Sequence, residues 1–153
     1  MSLLKNILYG ISNKINSFYS DKEIYNDSSK QEFTEPSFFI KLLRPKLKQI
    51  FGNRYFYETL WAIHYISNDD LEDVYNIAEE LSDILEYIEI VDEVNIIDDK
   101  EIVTKSLLRG TGIEINIIDG VLILNVNFNL FINKEITEAD LMETLEYEFK
   151  INK

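Results

Sequence analysis

Residues 113–128 read IEINIIDGVLILNVNF and contain the strongest hairpin pattern in the chain. Apolar residues alternate with polar ones from Ile113 to Ile117. From Leu122 to Ile132 every second residue is apolar, and Asn125, Asn127 and Asn129 lie on the opposite face. Asp119-Gly120 lies between the two runs and suits a two-residue turn, which needs positive φ angles. We therefore predict two antiparallel strands with one apolar face and one face rich in asparagine.

A second pair of long strands is predicted upstream of this hairpin. The first strand runs from Ser37 to Leu43, and Arg44-Pro45 ends it or makes it bulge, because proline cannot donate a ladder hydrogen bond. Gly52-Asn53 is typical of a turn, and the residues from Arg54 to Ile66 alternate with period two as the second strand. Residues 46–53 would connect the two strands at the tip of an extended hairpin.

Two other segments have the spacing of amphipathic helices. Apolar residues recur every three or four positions from Leu4 to Phe18, which predicts a first helix from Ser2 to Tyr19 with Ser2 as its N-cap. A second apolar stripe runs from Leu71 to Ile88 and follows the cap candidates Asn68-Asp69-Asp70. These segments predict two helices.

The remaining segments complete the predicted order of elements. A short strand is expected near residues 23–25, and the alternation from Leu145 onwards favours a strand in the tail. Residues 89–105 are charged and are expected to be irregular, with a short strand near 94–97. Strands joined by hairpins imply an α+β fold, a two-layer sandwich of a mainly antiparallel sheet with two helices packed on one face. We expect a single domain over residues 1–153.

The composition limits the classes of function. The chain has 153 residues, 46% of them hydrophobic, which is enough for a core of its own. It has no cysteine and one histidine, so thiolate and His-based metal sites are not expected. Its net charge of −13 repels phosphate, so sequence-specific nucleic-acid binding is not expected either. Neither a signal peptide nor a membrane-spanning stretch is apparent, which indicates a soluble, cytoplasmic protein.

Three features could carry chemistry, and each has a simpler explanation. Residues 109–112, RGTG, lack the Lys-Ser/Thr of a phosphate loop and precede a strand, so they are expected to form a bulge or turn. His64 has no nucleophile beside it and is expected to be a half-buried, hydrogen-bonded histidine. Asp92, Asp98 and Asp99 could hold calcium but lack the EF-hand spacing. We therefore predict no catalytic residue, cofactor or metal, and no enzyme.

Charge is divided unevenly along the chain. Between Pro36 and Tyr57 there are five bases and no acid, whereas from Asp69 to Asp99 there are thirteen acids and no base. Both runs could be ordinary solvated surfaces. Alternatively, one surface of a protomer meets the opposite surface of the next, a head-to-tail contact that can close into a ring.

Aromatic residues crowd the basic hairpin, and Tyr, Trp, Phe and Arg are enriched at protein interfaces. We therefore predict an interface with a basic and an acidic side. The basic side would be Lys41, Arg44, Lys46, Lys48 and Arg54 with Tyr55 and Tyr57, and the acidic side Glu79, Glu80, Asp83 and Glu86.

Five short motifs carry a family resemblance. They are EPSFFIKLL at 35–43, GNRY at 52–55, LLRGT at 107–111, IIDGVL at 117–122 and VNF at 126–128. With the spacing of the helices and hairpins around them, they resemble the small tail terminator proteins of phages and phage-like particles of Gram-positive bacteria. The motifs are structural rather than catalytic.

The resemblance implies a non-enzymatic assembly protein. Such a protein would form a ring, expected to be a hexamer, that caps the head-proximal end of the tail tube, stops its elongation and presents the collar or connector docking surface. Its partners would be copies of itself, the tail tube protein, the sheath of a contractile tail and a head–tail connector; in a headless bacteriocin it would be the collar. It would assemble in the host bacterial cytoplasm and become part of the particle. The alternative is an acidic module that mimics DNA and inhibits a nucleic-acid enzyme, which the thirteen-acid run motivates.

Overall fold

The structure is a computed structural model that describes residues 2–26 and 35–134. The tail strand expected from Leu145 lies outside these residues. In chain order the elements are α1 (Leu3–Phe18), β1 (Glu23–Tyr25), β2 (Ser37–Phe51), β3 (Arg54–Ile66), α2 (Leu71–Ile84), β4 (Tyr87–Ile97), β5 (Lys100–Ile118), β6 (Val121–Phe128) and β7 (Leu130–Asn133).

The strands of this described part form one sheet in the order β1-β2-β3-β6-β5-β4, with β7 paired to the outer half of β3. Neighbouring strands are antiparallel, except that β1 runs parallel to the start of β2. The long strand β5 has two partners, because residues 100–109 pair with β4 and residues 110–118 pair with β6. The sheet is therefore mainly antiparallel and built from long hairpins, as predicted.

The core lies between the helices and one face of the sheet. Alternate residues of β3 and β6 point into it, as the period-two pattern predicts. Its members include Ile7, Ile11 and Ile15 of α1, Val74, Ala78 and Leu81 of α2, Trp61, Ile63 and Tyr65 of β3, and Leu122, Leu124, Val126 and Phe128 of β6. Both helices thus contribute to one core, which confirms the predicted α+β sandwich.

The start of each helix agrees with the sequence, but the second helix ends earlier than predicted. The Lys5 backbone N–H donates to Ser2 Oγ at 3.4 Å, so Ser2 is the N-cap of α1. The second helix begins after Asp70 but ends at Ile84, not near Ile88. The apolar stripe misleads because Ile88 is fully buried from strand β4, in the same core that α2 enters.

Strand β2 continues past Arg44-Pro45 to Phe51, so the expectation that residues 46–53 only connect two strands is wrong. The chain bulges there instead, because Leu42 pairs with Trp61 and Arg44 with Leu60, which leaves Leu43 as an extra residue. Among the described residues, β2 beyond residue 39 is paired only on its β3 side, and such an edge tolerates proline.

The expectation that residues 89–105 are irregular is also wrong. They belong to the β4–β5 hairpin, in which Ile97 pairs with Lys100. Asp98 and Asp99 form its two-residue turn with φ angles of 52° and 61°, a left-handed conformation that aspartate accepts more readily than most residues. Asp98 and Asp99 therefore lie in a tight hairpin turn and Asp92 lies in strand β4, rather than in an irregular segment.

The predicted Asp119-Gly120 turn is confirmed, with φ angles of 51° and 79°. Its return strand, expected to reach Ile132 without a break, is interrupted at Asn129. The Asn129 side-chain oxygen accepts a hydrogen bond from the Thr59 backbone N–H at 3.1 Å, so this side chain replaces a ladder contact.

The RGTG segment at 109–112 forms the bulge that the sequence predicts. The β5–β6 register shifts between Thr111 and Glu114, and Gly112 has a φ of 60°. Just before this register shift, the Gly110 backbone N–H donates to the Glu86 carbonyl oxygen at 2.8 Å. Glu86 lies between the end of α2 and the start of β4.

Candidate functional site

The five bases of the β2–β3 hairpin lie on one face of the sheet. Residues opposite each other in an antiparallel ladder point to the same side, and alternate residues of one strand share a face. The four bases of β2 pair with every second residue of β3: Lys41 with Ala62, Arg44 with Leu60, Lys46 with Glu58 and Lys48 with Phe56. Arg54 is the next residue of β3 in this alternation, so it shares their face. We call Lys41, Arg44, Lys46, Lys48 and Arg54 the basic face; it is the side of the sheet away from the helices.

The bulge at Leu43 brings these bases together. Lys41 has an odd number, whereas Arg44, Lys46 and Lys48 have even numbers. In a regular strand the side chain of Lys41 would therefore point to the face opposite the other three. The extra residue restores the alternation on one side. Arg44-Pro45 signals an irregularity in the sequence, but not the residue at which it occurs.

Aromatic rings accompany the basic face at the outer end of the hairpin. The Arg54 guanidinium lies 4.7 Å from the ring centroid of Phe131, and the rings of Phe56 and Phe131 are 4.9 Å apart. Phe131 comes from β7 and is 56% exposed. Sequence reasoning missed it because it assigned residues 122–132 to a single strand of the other hairpin.

Tyr55 and Tyr57 lie on the opposite face of the hairpin from the bases with which the sequence prediction groups them. They lie opposite Ile132 and Leu130 of β7. The Lys134 ammonium is 4.5 Å from the ring centroid of Tyr55. The two tyrosines therefore belong to an apolar face of the hairpin, continuous with the core side of the sheet.

The predicted acidic residues lie on the outside of the helical layer. Glu79, Glu80, Asp83 and Glu86 are all exposed, on α2 or just after it, and we call them the acidic helix surface. The Tyr19 hydroxyl donates to Glu80 Oε2 at 2.5 Å and links α1 to α2. Burial, together with this carboxylate, raises the pKa of the Tyr19 hydroxyl.

The basic face and the acidic helix surface therefore occupy opposite layers of the molecule. Among residues 2–26 and 35–134 the ion pairs are Lys22–Asp21 and Lys105–Glu89. None of the five bases and none of the four acids takes part in either pair. Their charges are thus not neutralised by ion pairs within the part of the chain that the structure describes.

His64 lies between Phe39 and Ile123 in the sheet, on the same side as the basic face. It is half-buried, as predicted. Burial lowers the pKa of its imidazole, and the nearby positive charge of Lys41 lowers it further. The expected hydrogen bond of its ring is not among those found in the described residues.

A groove of about 810 Å³ lies between α1 and the β4–β5 hairpin. Its apolar lining includes Tyr9 and Leu107, which are 54% and 68% exposed. Three lysines and one glutamate also line it: Lys5, Lys14, Lys105 and Glu89. Sequence reasoning could not find this groove, because it treated residues 89–105 as irregular.

Neither a cluster of metal-ligating side chains nor a membrane-spanning helix occurs in the described residues. Within them, no group of three or more His, Cys, Asp or Glu side chains could hold a metal ion. No helix found in that part of the chain has the length and apolar character needed to cross a membrane.

A comparison with models of protein families finds a match. A family model described as phage tail terminator protein matches residues 6–140. No curated protein matches the chain. The family match covers most of α1 and every later element of the described structure, including the basic face and the acidic helix surface. This chain therefore belongs to the phage tail terminator family.

Proposed function

We propose that this chain forms a hexameric ring on the head-proximal end of the phage tail tube, stops the tube from growing and presents the docking surface for a collar or head–tail connector. Membership of the family makes the chain a structural protein of the phage tail. The observation that carries the proposal is that the basic face and the acidic helix surface lie on opposite layers of the molecule.

Unlike surfaces on opposite layers favour head-to-tail assembly. One copy can place its basic face against the acidic helix surface of the next and still offer its own acidic surface to a third. Such a contact closes into a ring when the rotation from one copy to the next is a whole fraction of a full turn. A symmetric contact through either surface alone would bring like charges together, which is unfavourable. The phenylalanines beside Arg54 would add apolar contact area to this interface.

A closed ring leaves two further sides for other tail components. One side would meet the last ring of the tail tube, and of the sheath in a contractile tail, and the other would meet the connector. The net charge of −13 suits a channel through which DNA passes, because it repels phosphate rather than binding it. Assembly would take place in the host bacterial cytoplasm, and the ring would then remain in the particle.

Native mass measurement of the purified chain, alone and mixed with tail tubes, tests the proposal. We expect a discrete closed oligomer, and we expect electron micrographs to show it on one end of each tube. Tubes polymerised without the chain should reach greater lengths than tubes polymerised with it. A species that stays monomeric at every concentration, with and without tubes, would contradict the proposal.

The DNA-mimic alternative and an enzymatic function gain no support from the structure. The run of thirteen acids that suggested a DNA mimic is spread over α2, the residues that flank this helix and the β4–β5 hairpin, where Asp98 and Asp99 are turn residues. The enzyme hypothesis rests only on His64 and scattered carboxylates, and His64 lies in the sheet between Phe39 and Ile123. The family consists of structural tail proteins, which also argues against catalysis.

A further inference from the structure

We propose that residues 135–153 of one copy bind in the groove between α1 and the β4–β5 hairpin of the next copy. This inference rests on the proposed ring. It adds a second contact between neighbours, one that uses neither the basic face nor the acidic helix surface.

Charge complementarity favours this occupant. The groove contains Lys5, Lys14 and Lys105 against the single acid Glu89, in a chain whose net charge is −13. Residues 135–153 contain six acidic and two basic residues. An acidic segment is therefore attracted to this groove, whereas most of the remaining surface of the chain would repel it.

The apolar residues also match. Tyr9 and Leu107 are more than half exposed in the groove, and such exposed apolar surface is typical of an interaction site. In the segment, Leu145, Tyr147, Phe149 and Ile151 alternate with charged residues. The segment can therefore offer apolar side chains to the groove together with carboxylates for its lysines.

The position at which the chain leaves the described structure points to a neighbouring copy. The Lys134 backbone N–H donates to the Asn53 carbonyl oxygen at 2.8 Å, so residue 134 lies at the tip of the β2–β3 hairpin. The groove lies beside β4, and β6 and β5 separate β3 from β4 in the sheet. The proposed ring places the basic face of this hairpin against the next copy. The 19 residues that follow span up to about 60 Å when extended, which is enough to reach a groove on that copy.

Disulfide trapping tests the proposal cleanly, because the chain contains no cysteine. One preparation carries Tyr9→Cys in the groove, and a second, with a different mass tag, carries Phe149→Cys. After mixing and mild oxidation we expect a disulfide-linked pair that contains both tags. Tyr75→Cys is the matched control, because Tyr75 is a similarly exposed tyrosine on α2 and does not line the groove. With this control the yield should be several-fold lower.

Charge reversal in the groove tests the electrostatic part. Lys5→Glu with Lys105→Glu, added to the Tyr9→Cys chain, should lower the yield of the mixed pair several-fold. Lys100→Glu at the tip of the same hairpin lies outside the groove and should leave the yield unchanged.

Two outcomes would overturn the inference: equal yields with Tyr9→Cys and Tyr75→Cys, or a chain carrying both Tyr9→Cys and Phe149→Cys that links only to itself. The native mass of the same samples shows whether the ring still forms, so a failure of the groove contact can be distinguished from a failure of the ring. A closed ring without the mixed pair overturns only the groove contact, whereas a chain that stays monomeric throughout overturns the ring on which the contact rests.

Discussion

Gly110 lies where the end of α2 meets β5, and no larger residue fits there. A Cβ at this position would collide with the Leu85 carbonyl oxygen and would lie 3.0 Å from a methyl group of Val126. The obstacle is backbone at the end of α2, so it cannot rotate away as a flexible side chain would. The position of Gly110 in β5 therefore fixes how closely α2 approaches the sheet.

We expect Gly110→Ala to lower the free energy of unfolding by about 3 kcal/mol, because overpacking against backbone forces the helix end to shift. Gly52→Ala is the control. Gly52 has a φ of +56° but nothing within 4 Å of the added Cβ, so we expect a loss of about 1 kcal/mol from backbone strain alone. Urea unfolding at one protein concentration measures both. Equal losses would show that the contact with Leu85 relaxes without cost.

His64 should make the fold less stable in mild acid. Burial and the charge of Lys41 lower its pKa below the ordinary value of 6.5, so the unfolded chain binds this proton more readily than the folded chain. Its effect is absent well above pH 6.5, and stability falls as the pH drops through that value towards the folded pKa. We expect His64→Gln to lose less stability than the original chain between about pH 8 and about pH 5.

The chain has a single histidine, so NMR can follow the titration of this ring directly. We expect a pKa below 6.5 in the original chain and a higher value in Lys41→Gln. A pKa at or above 6.5 in the folded protein would contradict the half-buried placement of His64, and an unchanged pKa in Lys41→Gln would contradict its placement near Lys41.

At the scale of elements, the hydrogen bond from Tyr19 to Glu80 joins the two helices. Tyr19 is 7% exposed, whereas Glu80 remains in contact with water, so we expect Tyr19→Phe to cost about 1 kcal/mol of stability. A double-mutant cycle with Glu80→Ala should return a coupling energy of similar size. The same cycle with Glu79→Ala is the control and should be additive, because Glu79 makes no such contact. Additivity in both cycles would mean that this hydrogen bond contributes nothing to stability.

Most elements could be predicted because their signals are local. The cap at Ser2, the apolar stripe of α2 and the Asp119-Gly120 turn each depend on a few neighbouring residues. The β4–β5 hairpin escaped prediction because its turn contains two aspartates and no glycine. A register shift between Val91 and Glu93 also breaks its alternation. The length of the hairpin becomes apparent only when both strands are paired.

The candidate site was predictable as a set of residues but not as a surface. The five bases stand out in the sequence, yet their shared face depends on one extra residue at Leu43. Phe131 joins them because β7 returns to β3, a pairing between residues more than seventy positions apart in the chain. The groove combines α1 with a hairpin that begins at Tyr87. Long-range pairing of this kind leaves no local pattern in the sequence.

At the scale of the whole molecule, a net charge of −13 gives every copy a long-range repulsion from every other copy. A ring therefore needs a local attraction that exceeds this repulsion at short range. The basic face can provide it, because its five charges lie together, away from the helical layer and outside any ion pair of the described residues. Assembly should consequently weaken as ionic strength rises. Changing the charges that meet at the interface should alter this dependence on salt.

We expect Lys46→Glu with Lys48→Glu to weaken ring assembly strongly at low salt, because the basic face then repels the acidic helix surface of the next copy. The loss should shrink at high salt, since the screening length falls from about 10 Å at 0.1 M to about 3 Å at 1 M. Adding Glu79→Lys with Asp83→Lys to the same chain should restore assembly, because both partners of the contact are then reversed together. Lys100→Glu, on the other hairpin, makes half of this change in net charge outside the basic face and should have little effect. Native mass at two salt concentrations measures all four chains. Assembly that is unchanged in the Lys46 and Lys48 variant, or lost there without rescue by the reversed acids, would show that these two surfaces do not meet.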